Sequence, residues 1–187
     1  MIPPPAATAR AAGLVELFST PEAFGTIRAV EASAVPQPYR GLLNHPSHMT
    51  VAMERFHAAP VALEVVATRA PSETDRGYAR EILLLDQRGR RIQYGIVRID
   101  LDMVPPAVAE RIRAADTPLG RVLIDAGCLC DVQQVRLLEV LPGPHLAAVI
   151  GPDRTFGRVA MIAVGGRPAV DLLEVVTGCD LPLEPPS

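Results

Sequence analysis

Ala169-Val170-Asp171-Leu172-Leu173-Glu174-Val175-Val176, preceded by Gly165-Gly166, is an apolar run with a carboxylate, Glu174, set inside it. Gly-Gly between two apolar runs is a two-residue hairpin signal, so this strand is predicted to pair antiparallel with Val159 to Val164. Alternation then places Glu174 on the face that carries Val170, Leu172 and Val176. A carboxylate on such a face is costly unless something pairs with it. Upstream, Tyr78-Ala79-Arg80-Glu81-Ile82-Leu83-Leu84-Leu85 groups Arg80 with Tyr78, Ile82 and Leu84 in the same way. If both charges face one pocket, Arg80 holds an anion there and Glu174 accepts a proton or a hydrogen bond. The competing structural role for Arg80 is an ion pair with Glu81 or Glu64, and for Glu174 an edge-strand carboxylate in water.

With 187 residues, 49% of them hydrophobic and 21% charged, the chain is long and apolar enough for one domain with a real core. A net charge of -3 without a Lys/Arg cluster argues against nucleic acid. No apolar run approaches the roughly 20 residues that span a bilayer. Met1-Ile2-Pro3-Pro4-Pro5 lacks the features of a secretory signal, so no membrane insertion and a cytoplasmic location are expected. Cys128, Cys130 and Cys179 have no framework or metal spacing and read as reduced thiols. His45 and His48 stand three apart with no third ligand near them, which favours a capping or surface role over a metal.

Taken in order, residues 1–12 are Pro- and Ala-rich and read as a flexible tail, 13–180 as the single domain and 181–187 as a C-terminal tail. Helices are predicted from about Met49 to His57, Pro106 to Ala115 and Leu119 to Asp125. Strands are predicted over Val61 to Thr68, Tyr78 to Leu85, Arg91 to Leu101 and Val132 to Leu141, followed by the closing hairpin. Strands in hairpin order with interposed helices argue an α+β fold with a mainly antiparallel sheet, one face covered by helices.

The order and spacing of Ser47-His48-Met49-Thr50, Arg80-Glu81-Ile82-Leu83-Leu84, Gly95, Thr117-Pro118-Leu119-Gly120-Arg121-Val122-Leu123, Gly157-Arg158, Gly166-Arg167-Pro168 and Leu173-Glu174 resembles the chorismate pyruvate-lyase family, over most of the chain. The resemblance implies a six-stranded antiparallel sheet with the ligand inside, under mobile helix-turn flaps. It implies a lyase that needs no metal or organic cofactor and converts chorismate to 4-hydroxybenzoate and pyruvate. Its carboxylate-binding arginine falls on Arg80, its pocket glutamate on Glu174 and its flap methionine on Met49. The backbone of its ring-carboxylate site falls on Pro118, Leu119 and Gly120. The chain departs from the family at Ile96, where an arginine is expected; Arg98, two residues on, is the candidate replacement.

Such an elimination aromatises the ring, so the protein has only to hold a dianion in a reactive pose and stabilise charge on the departing oxygen. A planar guanidinium suits the first task. Apolar walls that raise its pKa would suit Glu174 to proton removal, while orientation of the hydroxyl is the simpler role. Packing accounts for Met49 and Leu119 as well as ligand contact does. Arg136, Arg158 and Arg167 read as solvated strand residues, Arg158 being a second-site contact by family position alone. The alternatives are a lyase giving another hydroxybenzoate, or a non-catalytic domain of the same fold that binds a small aromatic acid. The chain is expected to work as a monomer or small homo-oligomer.

Overall fold

The computed structural model describes residues 4–72, 75 and 77–177. The fold is α+β, built on one wholly antiparallel sheet. Among the described residues it has seven strands, β1 (Gly25–Val30), β2 (Ala62–Arg69), β3 (Gly77–Leu85), β4 (Arg91–Asp100), β5 (Cys130–Pro142), β6 (Thr155–Val164) and β7 (Arg167–Val176), in the order β1-β5-β6-β7-β4-β3-β2. β6 and β7 form the predicted hairpin. Gly165 and Gly166 have φ of 57° and 80°, the left-handed pair that a two-residue turn needs to match the twist of its strands. The β3–β4 turn is closed by Asp86, whose Oδ1 accepts from the backbone N–H of Arg88 and of Arg90 at 2.9 Å each.

Among the described residues seven helices cover the sheet: α1 (Pro4–Val15), α2 (Pro21–Phe24), α3 (Tyr39–Leu43), α4 (Met49–His57), α5 (Pro106–Ala114), α6 (Leu119–Asp125) and α7 (Pro144–Ile150). They lie on both faces, not on one as expected. On the back, α1, α2 and α7 pack over Leu83, Tyr94, Ile96, Leu173 and Val175. On the front, α3 and α4 cover Ile82, Leu84 and Val176, while α5 and α6 cover Val97, Leu172 and Val170. The site lies between these two front clusters. No helix among the described residues is long and apolar enough to cross a membrane.

Two further expectations need correction. The predicted tail over residues 1–12 is mostly helix: Ala7, Ala11, Leu14 and Val15 recur at helical spacing and are buried against the back of the sheet. A Pro- and Ala-rich composition resembles a disordered segment, yet alanine is the best helix former and proline is tolerated in a first turn. The extra strand, β1, pairs with the end of β5 from Gly25↔Pro142 to Val30↔Leu137. Cys128 and Cys130 are free and half-buried; Cys179 and the C-terminal tail expected at 181–187 lie outside the described residues.

If α1 is integral, Leu14→Ala should cost about 2–5 kcal/mol, because the buried site cannot fully collapse. The urea midpoint reads this, and a change under about 0.5 kcal/mol would mean that the helix does not dock.

Candidate functional site

Register fixes the site. Arg158 pairs with Glu174, Glu174 with Gly95, and Gly95 with Ile82, across β6, β7, β4 and β3. One row along, Arg80 pairs with Val97 and Val97 with Leu172. Side chains of paired residues share a face, so Arg80, Arg158 and Glu174 all stand on the front of the sheet. Gly95 leaves room in the middle of this row, where a Cβ would already touch Ile82 Cγ1 at 3.3 Å.

Arg158, read from sequence as a solvated strand residue, is 0% exposed and is the hub of the site. Its Nε donates to Glu174 Oε2 at 2.7 Å. Its Nη1 donates to the carbonyl of His45 at 2.9 Å and, more weakly, to that of Leu43 at 3.4 Å, and its Nη2 to that of Ser47 at 3.0 Å. One guanidinium thus binds the carboxylate of β7 and the α3–α4 loop to the same point. The signal for this was in the sequence. Phe156 to Val164 is apolar on both faces apart from Arg158, so the strand leaves no wet side for a charge.

Within that loop, His45 Nε2 lies 2.6 Å from the Leu42 carbonyl, and Nδ1 receives the Ser47 backbone N–H at 3.2 Å and its hydroxyl at 2.7 Å. This fixes a neutral imidazole protonated at Nε2. Burial, and then the nearby Arg158 charge, hold its pKa below the ordinary histidine value. Burial does the same for His48, with Glu174 pulling the other way.

The helices α4 and α6 meet over the front face. Gly120 lets them approach closely there, since a Cβ would stand 3.0 Å from Thr50 Oγ1 and 3.1 Å from His48 Cβ, tighter than most Cβ contacts. Arg121 on α6 donates to Glu54 on α4, an ion pair half open to water and worth under about 1 kcal/mol. Under them lies a cavity of about 30 Å³, lined by His48, Met49, Thr50, Gln93, Leu119, Gly120 and Glu174 among others. That volume holds roughly one water molecule.

Arg80 stands beside this cavity, outside its lining, and is 1% exposed. Its Nη1 donates to the Ile112 carbonyl at 3.2 Å, one of the last carbonyls of α5, where the helix end is electronegative. Its Nε has no hydrogen-bond partner among the described residues. Burial lowers its pKa, Tyr78 and Asp116 opposing, but a guanidinium stays charged. Neither structural partner weighed for it is engaged. Glu81 points to the back face, where Tyr94 OH donates to its Oε1 at 2.7 Å and His145 Nε2 sits at 2.7 Å; Glu64 lies 3.9 Å from Arg91.

Arg98 is a correction. Being two residues from Ile96 it shares that residue's face, but this is the back face, under α1. It binds Asp75 at 2.5 Å and cannot reach the cavity across the sheet. Met49, Leu119, Gly120 and Glu174 do surround the cavity. Glu174 is not the lone carboxylate between apolar walls that base chemistry asks for, since Arg158 is bonded to it. Among the described residues no three His, Cys, Asp or Glu side chains are grouped as a metal site.

The half-buried histidines, His45 and His48, give a pH prediction. A histidine with a lowered folded-state pKa resists protonation when folded, so its stabilising contribution is present above about pH 6.5 and is lost as pH falls below it. Unfolding free energy should therefore drop between pH 7.5 and pH 5.5, and His48→Gln should flatten that slope. An equal slope in the variant would discharge His48 from this role.

No family model and no curated protein matches the chain. Solved structures do. One is the possible transcriptional regulator YydK from Bacillus subtilis, at 11% identity and a TM-score of 0.45, with 66% of this chain covered. The chain spans only 59% of that protein's length. Another is the C-terminal domain of the histidine utilization repressor from Pseudomonas syringae, at 11% identity and a TM-score of 0.46, covering 68% of this chain and 99% of that one. Both are named as regulators, neither as a lyase, and the expectation of a chorismate pyruvate-lyase is corrected accordingly. In the site itself the pocket carboxylate, Glu174, is already paired with Arg158.

Proposed function

We propose that this domain binds a small monoanionic aromatic acid and releases it unchanged, as a sensing module rather than an enzyme. One observation carries the reading: among the described residues two buried arginines and one buried carboxylate share the covered sheet face, and the arginine not bonded to it, Arg80, has no hydrogen-bond partner at Nε. An enclosed guanidinium held by one carbonyl and no direct ion pair is expensive, and an anionic ligand supplies that pair. Apolar walls from Ile82, Val97, Leu119 and Leu172 suit a ring next to that anion.

Sites for such ligands run to about 300 Å³ and more, about ten times the present cavity. Ligand entry therefore requires α4 and α6 to part. The weak Arg121–Glu54 contact and the flexible Met49 and Met53 allow this, while the loop held by Arg158 serves as the hinge side. Ligand occupancy is thereby coupled to the position of two helices.

The test compares benzoate with benzamide, which share the ring and differ in charge. Benzoate at one hundred times its Kd should add about 2.7 kcal/mol to unfolding free energy, and benzamide at the same concentration little. Equal effects of acid and amide, or none from either up to solubility, would end the proposal.

A further inference from the structure

We propose that Gln93 determines which ring substituent the site accepts, by hydrogen-bonding a polar group at the end of the ligand remote from Arg80. The inference rests on the anion-binding reading above and extends it. Gln93 lies on β4, is 2% exposed, and lines the cavity together with Glu174. Its Oε1 is fully enclosed and has no hydrogen-bond partner among the described residues. Buried amides without partners are rare because each forfeits its bonds to water, and the exceptions mark places where a ligand or a water completes them.

The surroundings of Gln93 explain why the protein does not complete them itself. Its partners across the strands are Leu84 on β3 and Val176 on β7, neither of which has a side-chain donor. The next residue on its face, Gly95, has no side chain, and beyond that gap stands Glu174. Gln93 and Val97 are four residues apart, roughly 13–14 Å along the strand, and Val97 is the partner of Arg80. An acid anchored at Arg80 thus directs its far side toward two groups, a carboxylate that only accepts and a carboxamide that both donates and accepts. A hydroxyl gives its one hydrogen to Gln93 Oε1, which otherwise lacks a donor, while Glu174 keeps its bond from Arg158. A methyl group of similar size supplies no donor and leaves that oxygen unpaired.

The experiment measures, by calorimetry, the affinities of 4-hydroxybenzoate and 4-methylbenzoate for the full chain, for Gln93→Leu and for Gln93→Met. Wild type should favour the hydroxy acid by about tenfold or more, and both variants should reduce that ratio by about tenfold while binding the methyl acid at least as well. Unliganded thermal stability of the variants should be unchanged or higher, because an unpaired amide has been replaced by apolar surface; a structural role would instead lower it. A ratio unaltered in both variants overturns the role of Gln93 and leaves the anion site standing. Failure of wild type to bind either acid overturns both.

Discussion

Arg158→Met is expected to destabilise the unliganded chain by about 3–5 kcal/mol, the range seen when one partner of a buried ion pair is removed. The substitution keeps much of the side-chain volume, so the loss is electrostatic. Glu174, 7% exposed, is left as an uncompensated buried carboxylate. The carbonyls of Leu43, His45 and Ser47 lose their donor as well, which releases the loop that leads into α4. Lysine should recover little, because a single ammonium cannot address the carboxylate and two or three carbonyls in fixed directions. The decisive control is the pair Arg158→Met with Glu174→Met. If the single variant suffers mainly from the stranded carboxylate, the double variant should regain a large part of the loss. Urea unfolding of the four members of the cycle measures this, and a single-variant loss under about 1 kcal/mol would contradict the hub role.

That residue also marks where the sequence ceased to be legible. The Gly165-Gly166 turn and the alternation that groups Arg80 with Ile82 and Glu174 with Leu172 follow from short-range rules, because hairpin register is set locally, whereas the shared face of Arg80 and Glu174 depends on the long-range β4–β7 pairing. Arg158 sits across the strands from Glu174 in that same hairpin, so its register was derivable. What conceals it is the expectation that a strand arginine reaches water, which fails on an interior strand of a sheet covered on both sides. The covering of the second face depends on α1, whose small residues, Ala7 and Ala11, carry little hydrophobic signal although they allow close helix-on-sheet packing. The error over Arg98 was of a different kind. Parity does carry Arg98 to the face of Ile96, but Ile96 pairs with Glu81 on β3 and so faces the back, which a resemblance in sequence does not reveal. Gln93 carried no signal at all, since an isolated glutamine near a strand start is ordinary until its surroundings are known.

Arg80→Met is expected to separate binding from stability. Loss of a buried, charge-assisted contact to a ligand carboxylate costs about 2–5 kcal/mol, so affinity for benzoate should fall by roughly thirtyfold to several thousandfold. The unliganded protein should be as stable as wild type or up to about 1 kcal/mol more stable, because an enclosed unpaired charge is removed at the expense of one hydrogen bond to the Ile112 carbonyl. Arg80→Lys retains the charge without the two-pronged geometry and should recover only part of the affinity. These directions are opposite to those for Arg158, although both are arginines on the same face with almost no exposure. The difference follows from their partners: Arg158 bonds a carboxylate and three carbonyls of the protein, whereas Arg80 has one bond, to the Ile112 carbonyl, and in the proposed function an anion completes its shell. If Arg80→Met instead lowers stability as much as Arg158→Met, its bond to the end of α5 is its main function, and the anion site loses its anchor.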